Sequence, residues 1–542
     1  MPGHSDEILD VVIVGGGVAG AYCAWRLAVD APTHQTIALF EGSDRIGGRL
    51  LSLTPPGMPH LVAEMGGMRY LSIHPLVSSL VEKRLALDYQ PVLRVGTPDP
   101  TAGQGFAYLR DTRLQMKDLT DPAQVPYRLA DAEKGQPPSQ LIATALQQLV
   151  PGMSGLTGQA LFEYLQGASY AGRPLAQWGF WNLLSRGLSA EAFSFARDSG
   201  GFDFYLLNLN AINFIRETQD IQAGTVFSRV VNGYDQVPLT LCDQFKRASG
   251  RVWMQHRLQA LDTTTLPDGS PGVSLTFQAD SRGWGPLAAG KPKRVTARSV
   301  ILALPRRALE LLDPTGNILT RHVNSLIQSV TSVPMLKTWL CYDHPWWEAT
   351  GITQGHAITD LPIRQCWYWG VEGNQPGADP TNRNALLLAA FDDTLTAHYW
   401  TGLRDVNSLP PFNVRRRRKG QPADDALAWP TYRQRATGPL VEEVHRQVMQ
   451  VHGVTDAPEP YDAAFIDWGE DPYGGAMHAW NINTHSWELA PKVAQPTPGA
   501  PVYICGEAYS QTQGWVEGAL ESAEFVLQNH FHLAPPAWAR AG

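Results

Sequence analysis

The fold is decided within one stretch, Leu9-Asp-Val-Val-Ile-Val14-Gly15-Gly-Gly17-Val18-Ala19-Gly20. A short, apolar, β-branched run leads straight into three glycines. Helical spacing then takes over in Val18-Ala-Gly-Ala-Tyr-Cys-Ala-Trp-Arg-Leu27. In Gly15-x-Gly17-x-x-Gly20 the first glycine permits the tight turn, and the second lets the backbone approach a pyrophosphate. The third allows close helix–strand packing, and the first helical turn, with Val18 and Ala19, supplies amide donors. Ile37-Ala-Leu-Phe40 reads as a second buried strand, with Glu41 and Gly42 at its end. A carboxylate there accepts hydrogen bonds from both ribose hydroxyls and repels a 2′-phosphate, which argues against NADP. This β-turn-α-β unit opens a doubly wound α/β domain; taken alone, it does not separate NAD from FAD.

Outward from that unit, Pro91 to Pro138 is rich in Pro, Gly, Thr and Asp, and is predicted to form irregular strands and loops. Residues 139–225 are predicted mostly helical, from runs such as Ser139-Gln-Leu-Ile-Ala-Thr-Ala-Leu-Gln-Gln-Leu149. Strands return at Val226–Val231, Val252–Gln255, Val273–Phe277, Ser299–Leu304 and Leu386–Phe391, with an amphipathic helix near 438–452. Val502-Tyr-Ile-Cys-Gly-Glu507 is a strand then a loop, followed by a helix beginning near Trp515.

Composition excludes several classes. The 542 residues carry 43 basic and 51 acidic side chains, a net charge of −8, so a global nucleic-acid footprint is not expected. With 44% apolar and 17% charged residues the chain is globular, sized for two to four structural units. The cysteines Cys23, Cys242, Cys341, Cys366 and Cys505 form no C-x-x-C pair and read as buried apolar thiols. No metal site is indicated. Val11 to Trp25 lacks charge but is shorter than the ~20 residues that span a bilayer. No signal peptide is visible, so a cytoplasmic location, without membrane attachment, is the default. The basic run Arg415-Arg-Arg-Arg-Lys419 reads as a solvated loop or a local anion or partner site.

Glu41-Gly-Ser-Asp-Arg-Ile-Gly-Gly-Arg49-Leu50 resembles the flavin amine oxidase superfamily, and the resemblance runs over nearly the whole chain. Ala63-Glu-Met-Gly66-Gly67-Met68-Arg69 is similar to the segment passing beneath the flavin. Val230–Pro238 matches the strand and turn that re-enter the cofactor domain, and Val252–Leu258 the strand whose backbone meets the adenine. Gly506-Glu507 and Gly514-Trp515-Val516-Glu-Gly-Ala519 match the C-terminal flavin-binding strand and helix. The resemblance implies FAD, with Arg49 on the pyrophosphate, Glu507 on the ribityl–pyrophosphate region and Trp468 flanking the ring. The helix starting near Trp515 would then point its amides at the flavin C2 carbonyl. It also implies a Rossmann-like α/β domain assembled from residues 1–65, 226–315 and 471–542. A mixed α+β substrate domain (66–138 and 316–470) and a helical domain (139–225) would complete the chain. Ala476 follows Gly474-Gly475 where monoamine oxidases carry a linking cysteine, so the FAD is expected to be noncovalent.

The Gly-Gly-Met-Arg form at 66–69 looks like the L-amino-acid oxidase branch, with Arg69 as the clamp for a substrate carboxylate. Pro334–Trp347 resembles the segment whose lysine, here Lys337, holds a water near flavin N5. Thr359–Tyr368 resembles the one that gives a tyrosine hydroxyl to the carboxylate. Trp367 and Tyr368 alternate, so only one faces the pocket; Tyr368 is taken as that residue. Trp515, with Tyr368, would wall the substrate. Asp203, in Gly200-Gly-Phe-Asp203, either sits at a cap or turn, or places a carboxylate at the far end of the pocket to favour basic side chains. The implied reaction is oxidative deamination of an L-amino acid by oxygen, giving a 2-oxo acid, ammonia and hydrogen peroxide. An amide-forming amino-acid monooxygenase, an amine or polyamine oxidase, and a non-enzymatic flavin redox sensor are the alternatives. A homodimer or higher homo-oligomer is expected.

Overall fold

The computed structural model describes residues 8–31, 34–92, 105–203, 207–221, 225–279, 292–405, 408–409, 412, 435–470 and 474–539. The basic run at 415–419 lies outside them. Among the described residues, two seven-stranded sheets organise the fold. In the first, Ile8–Val14 pairs in parallel with Ile37–Phe40 on one side and with Lys293–Leu302 on the other. Arg251–Trp253 extends the sheet beyond Ile37–Phe40, and Val502–Ile504 runs parallel to Val300–Leu302. The first half of Lys293–Leu302 pairs antiparallel with Pro271–Ala279, which in turn pairs with His256–Thr265. Three distant parts of the chain thus meet in one sheet.

Side-chain alternation explains why the strands read as unbroken apolar runs, since both faces are covered. Val11 and Ile13 pack under the helices Val18–Val29, Gln236–Arg247 and Val516–His530. Leu9, Val12 and Val14 join the opposite core with Phe40, Phe277 and Trp480. All five cysteines are buried free thiols.

The second sheet runs in the order Asp462–Asp467, Met335–Tyr342, Ala385–Asp393, Gln365–Val371, His356–Thr359, Phe106–Leu109, Thr112–Gln115. The helix Gly438–His452 covers one face, meeting Leu336, Leu340, Tyr342 and Leu387. The other face carries Trp339, Cys341, Trp367 and Trp369, and packs on Met65, Met68 and Trp468. Helices Pro138–Leu149, Gly158–Gly167, Phe180–Leu184, Ala190–Asp198 and Ala211–Asp220 share a core of their own. Among the described residues, no helix is long and apolar enough to cross a membrane.

Candidate active site

The glycine turn is shaped by close approach. Gly15 has φ +105°, and a side chain there would meet the Ala303 carbonyl at 2.4 Å. At Gly20 a Cβ would lie 1.9 Å from the Gly15 carbonyl. Gly17 differs: its Cβ would find only the Gly48 Cα, at 3.8 Å. Gly17 is also the N-cap of Val18–Val29, and no side chain caps that end. The amides of Val18, Ala19 and Gly20 therefore face an open cradle that fits a pyrophosphate.

Glu41 is buried, its carboxylate accepting the Gly16 amide at 2.6 Å and the Ser43 amide at 2.7 Å. Two hydrogen bonds leave lone pairs for ribose hydroxyls. The turn before His256–Thr265, the strand that carries Leu258, lies alongside: the His256 amide donates to the Glu41 carbonyl at 2.9 Å, and a Cβ on Gly42 would meet Arg257 at 3.8 Å.

Arg49 donates to Glu507 Oε2 at 2.7 Å and to the Ala476 carbonyl at 3.0 Å. Glu507 Oε1 accepts the His478 and Gly514 amides, each at 2.8 Å. Glu507 was expected to meet the cofactor directly. Its carboxylate accepts hydrogen bonds from Arg49, His478 and Gly514, which ties it to the guanidinium expected on the pyrophosphate. Burial opposes its charge, but Arg49, His478 and the Gly514 amide outweigh burial and hold it at about 2.

The segment Ala63–Arg69 is pressed against residues 49–51. The Gly67 amide donates to the Arg49 carbonyl at 3.1 Å, and a Cβ on Gly66 would come within 1.9 Å of that oxygen. Trp468 is buried and donates to the Met65 carbonyl at 2.8 Å. Lys337 reaches the same segment from the second sheet. Its Nζ donates to the carbonyls of Gly66 at 2.6 Å and Glu64 at 3.0 Å, with Met68 Sδ at 3.4 Å. Burial pulls the Lys337 ammonium well below its ordinary range, opposed by Glu64 and helped by Arg69. Burial likewise pushes Glu64 up, against hydrogen bonds from Ser52 and Tyr234 and the charge of Lys337. The Arg69 guanidinium lies over Phe227 and Trp367, 5.0 Å from each ring centroid.

The alternation of the strand Gln365–Val371 corrects the expectation for Tyr368. Trp367 is on the face with Lys337 and Arg69, while Tyr368 is on the face beneath Gly438–His452. The Tyr368 hydroxyl is 2.8 Å from His452 Nε2, and His452 Nδ1 is 2.7 Å from the Val448 carbonyl. With Nδ1–H donating to that carbonyl, Nε2 accepts from the tyrosine. Tyr368 is a core residue.

For Asp203 the surroundings support a structural role, the first of the two readings. It is buried, paired with Arg364 at 3.4 Å, and accepts the Thr396 hydroxyl at 2.9 Å. Its amide donates to Asp393 at 3.2 Å. This internal cluster, rather than a ligand pocket, uses the charge.

A cavity of about 440 Å³ opens in front of Trp515, which caps the helix Val516–His530. Its wall includes Leu71, Ile73 and His74, whereas Arg69, Lys337 and Trp367 are not among the residues that line it. Met477 and Glu217 complete the side nearest the indole, with Glu217 Oε1 3.5 Å from Trp515 Nε1. Gly514 packs on Met477, where a Cβ would meet Cε at 3.2 Å; Ala519 is buried one turn into the helix. Sequence reasoning missed Met477, Glu217 and His74. Met477 directly follows Ala476 and was within reach of a motif reading; the other two carried no local signal.

The sequence matches the profile of the flavin containing amine oxidoreductases over residues 18–406 and 428–526. It is 27% identical to aplysianin-A of Aplysia kurodai, covering 97% of this chain and 91% of that one. It is 24% identical to an L-amino-acid oxidase of Mus musculus, covering 94% of this chain and 69% of the mouse protein. The fold is similar to that of a putrescine oxidase variant, with TM-score 0.65 at 16% identity over 97% of this chain and 99% of that one.

Proposed function

Given that the chain belongs to the flavin containing amine oxidoreductases and takes FAD as its cofactor, we propose that it is an L-amino-acid oxidase. In this reading an L-amino acid, oxygen and water give a 2-oxo acid, ammonia and hydrogen peroxide. The single observation that carries it is Arg69. Its guanidinium is held over two aromatic rings, in the segment that also receives Lys337. A planar guanidinium fits a carboxylate through two parallel hydrogen bonds. The mouse relative's name supports the same class.

The Gly15–Gly20 turn would hold the pyrophosphate, joined by Arg49, and Glu41 the ribose. The strand of Leu258 would meet the adenine. Gly66–Arg69, Trp468 and the helix end at Gly514–Ala519 would surround the flavin ring. The binding is noncovalent, with Ala476 beside the glycine pair. In this division the cofactor domain comprises residues 1–65, 226–315 and 471–542. The bound FAD supplies a two-electron acceptor that oxygen can reoxidise. Arg69 binds the carboxylate and so fixes the α-carbon, while Trp515 and Met477 limit the side chain's position. Lys337, anchored on two carbonyls, holds a water for imine hydrolysis. Orientation of this kind supplies up to ~7–11 kcal/mol of a barrier.

The test is a panel of L-amino acids and their decarboxylated amines, scored for peroxide, ammonia and 2-oxo acid. Turnover of amines alone would refute the carboxylate clamp. Amide and carbon dioxide as products would identify the monooxygenase reaction instead.

A further inference from the structure

One group in the cavity wall has no part in the cofactor cradle or in the carboxylate clamp. His74 follows Arg69 by five residues, and its main chain is fixed. Its amide donates to the Leu71 carbonyl at 3.0 Å, and its carbonyl accepts the Ser78 amide at 3.0 Å and the Ser78 hydroxyl at 2.7 Å. The next turn is tied to the Trp515 helix, because Glu517 accepts the Leu76 and Val77 amides at 3.0 and 2.8 Å. The imidazole meets the Trp515 ring edge-on, 5.0 Å between centroids, and lines the cavity. It is only 6% exposed, and among the described residues its Nδ1 is buried without a hydrogen-bond partner.

A buried, unpaired ring nitrogen destabilises a folded protein, and an apolar ring of the same shape would avoid that cost. Nδ1 is itself buried, so a ring nitrogen of His74 meets a ligand in the cavity in the orientation that turns it toward that space. Burial holds His74 neutral, down at about 3. One ring nitrogen therefore carries a proton and the other is an acceptor, and a half-turn of the ring exchanges which of them meets the cavity. A ring so reluctant to charge is not a sink for an ammonium proton. It is suited to accept a hydrogen bond. A substrate carboxylate offers no donor, whereas an amine does.

We propose that His74 contacts the substrate directly, its ring nitrogen accepting a hydrogen bond from the amino group and fixing that group beside Trp515. This rests on the oxidase reading only in requiring a substrate with an amine, which amino acids and simple amines both have. The comparison can therefore be run with whichever class the parent enzyme oxidises, so that failure of the carboxylate clamp and failure of this proposal are separate results.

The experiment is anaerobic stopped-flow reduction of the holoenzyme at saturating substrate, together with FAD content and Tm. In His74→Phe we expect reduction at least tenfold slower, FAD content unchanged, and Tm equal to or above the parent's. His74→Gln, which restores an acceptor, should recover most of the rate. If His74→Phe does not fold, His74→Met replaces it in the same comparison. Parental reduction rates in the apolar variant would overturn the proposal. So would a Gln variant as slow as the apolar one while both keep FAD and Tm, or a loss of FAD and Tm in proportion to rate.

Discussion

Removing the Arg49 guanidinium while leaving the Glu507 carboxylate tests how the cofactor site is held together. Glu507 is 5% exposed, and Arg49 lies 2.7 Å from its Oε2. Its ordinary value is 4.5; burial would raise it, but Arg49, His478 and the Gly514 amide bring it to about 2. That difference corresponds to about 3 kcal/mol of native-state stability at neutral pH. Because the folded value is depressed, the contribution is complete above pH 4.5 and is lost as pH falls through about 2. Arg49→Leu removes the largest stabilising partner, and the side chain's 26% exposure moderates the loss to roughly 2 kcal/mol. Glu507→Gln in that background removes the uncompensated charge and should restore most of the stability. FAD retention should not return, since the guanidinium expected on the pyrophosphate is still missing. The assay is chemical unfolding of parent, both single variants and the double variant at pH 7, with bound flavin read from absorbance. Additive losses, with no coupling between the two sites, would refute the argument. So would a double variant that regains FAD together with stability.

Arg69→Ala should lower kcat/KM for L-amino acids by roughly 30- to 1,000-fold, the loss of about 2–4 kcal/mol, while sparing the corresponding amines; equal losses on both would remove the clamp. Lys337→Met should slow flavin reduction or reoxidation with FAD content near the parent's, and should abolish any neutral-range titration of that step; stopped-flow traces matching the parent's would exclude it. Tyr368→Phe should cost about 1–3 kcal/mol by leaving His452 Nε2 unpaired, with turnover unchanged, whereas Trp367→Leu should raise KM by loosening Arg69; the reverse pattern would restore Tyr368 to the site. Burial, and then the Asp203 carboxylate, push Asp393 up to about 7, so the native state holds an extra proton between about pH 4 and 7 and stability falls as pH rises through that window. Asp393→Asn should make Tm fall less steeply between pH 5 and 8, with buried Glu64 and Glu517 keeping part of the slope, and an unaltered slope would contradict this.

Local chemistry made much of the cofactor cradle legible from residue order alone. Gly20 is required by its approach to the Gly15 carbonyl within one turn, Gly17 leaves the helix end open, and Glu41 ends the neighbouring strand, so spacing along the chain already implies much of the proximity in space; the Ala303 carbonyl that crowds Gly15 comes from far along the chain. The amphipathic helix at 438–452 and the apolar strands were legible for the same reason: side-chain periodicity is a property of the segment itself. The choice between Trp367 and Tyr368 was not, because alternation says that adjacent residues face opposite ways without saying which face meets Arg69. Only packing of Gly438–His452 on one side and Met65–Met68 on the other decides that. The partners of Glu507 and Asp203 were hidden likewise. A carboxylate's role depends on which cation arrives first, and Arg49 and Arg364 come from far along the chain. His74 is the extreme case, an unremarkable residue in sequence whose setting arises only when the Trp515 helix closes over it. Sequence by itself determined the elements and the cofactor turn, because those are set by short-range sterics and periodicity. Tertiary structure decided which polar groups pair with which, because pairing of buried charge is settled by long-range contacts.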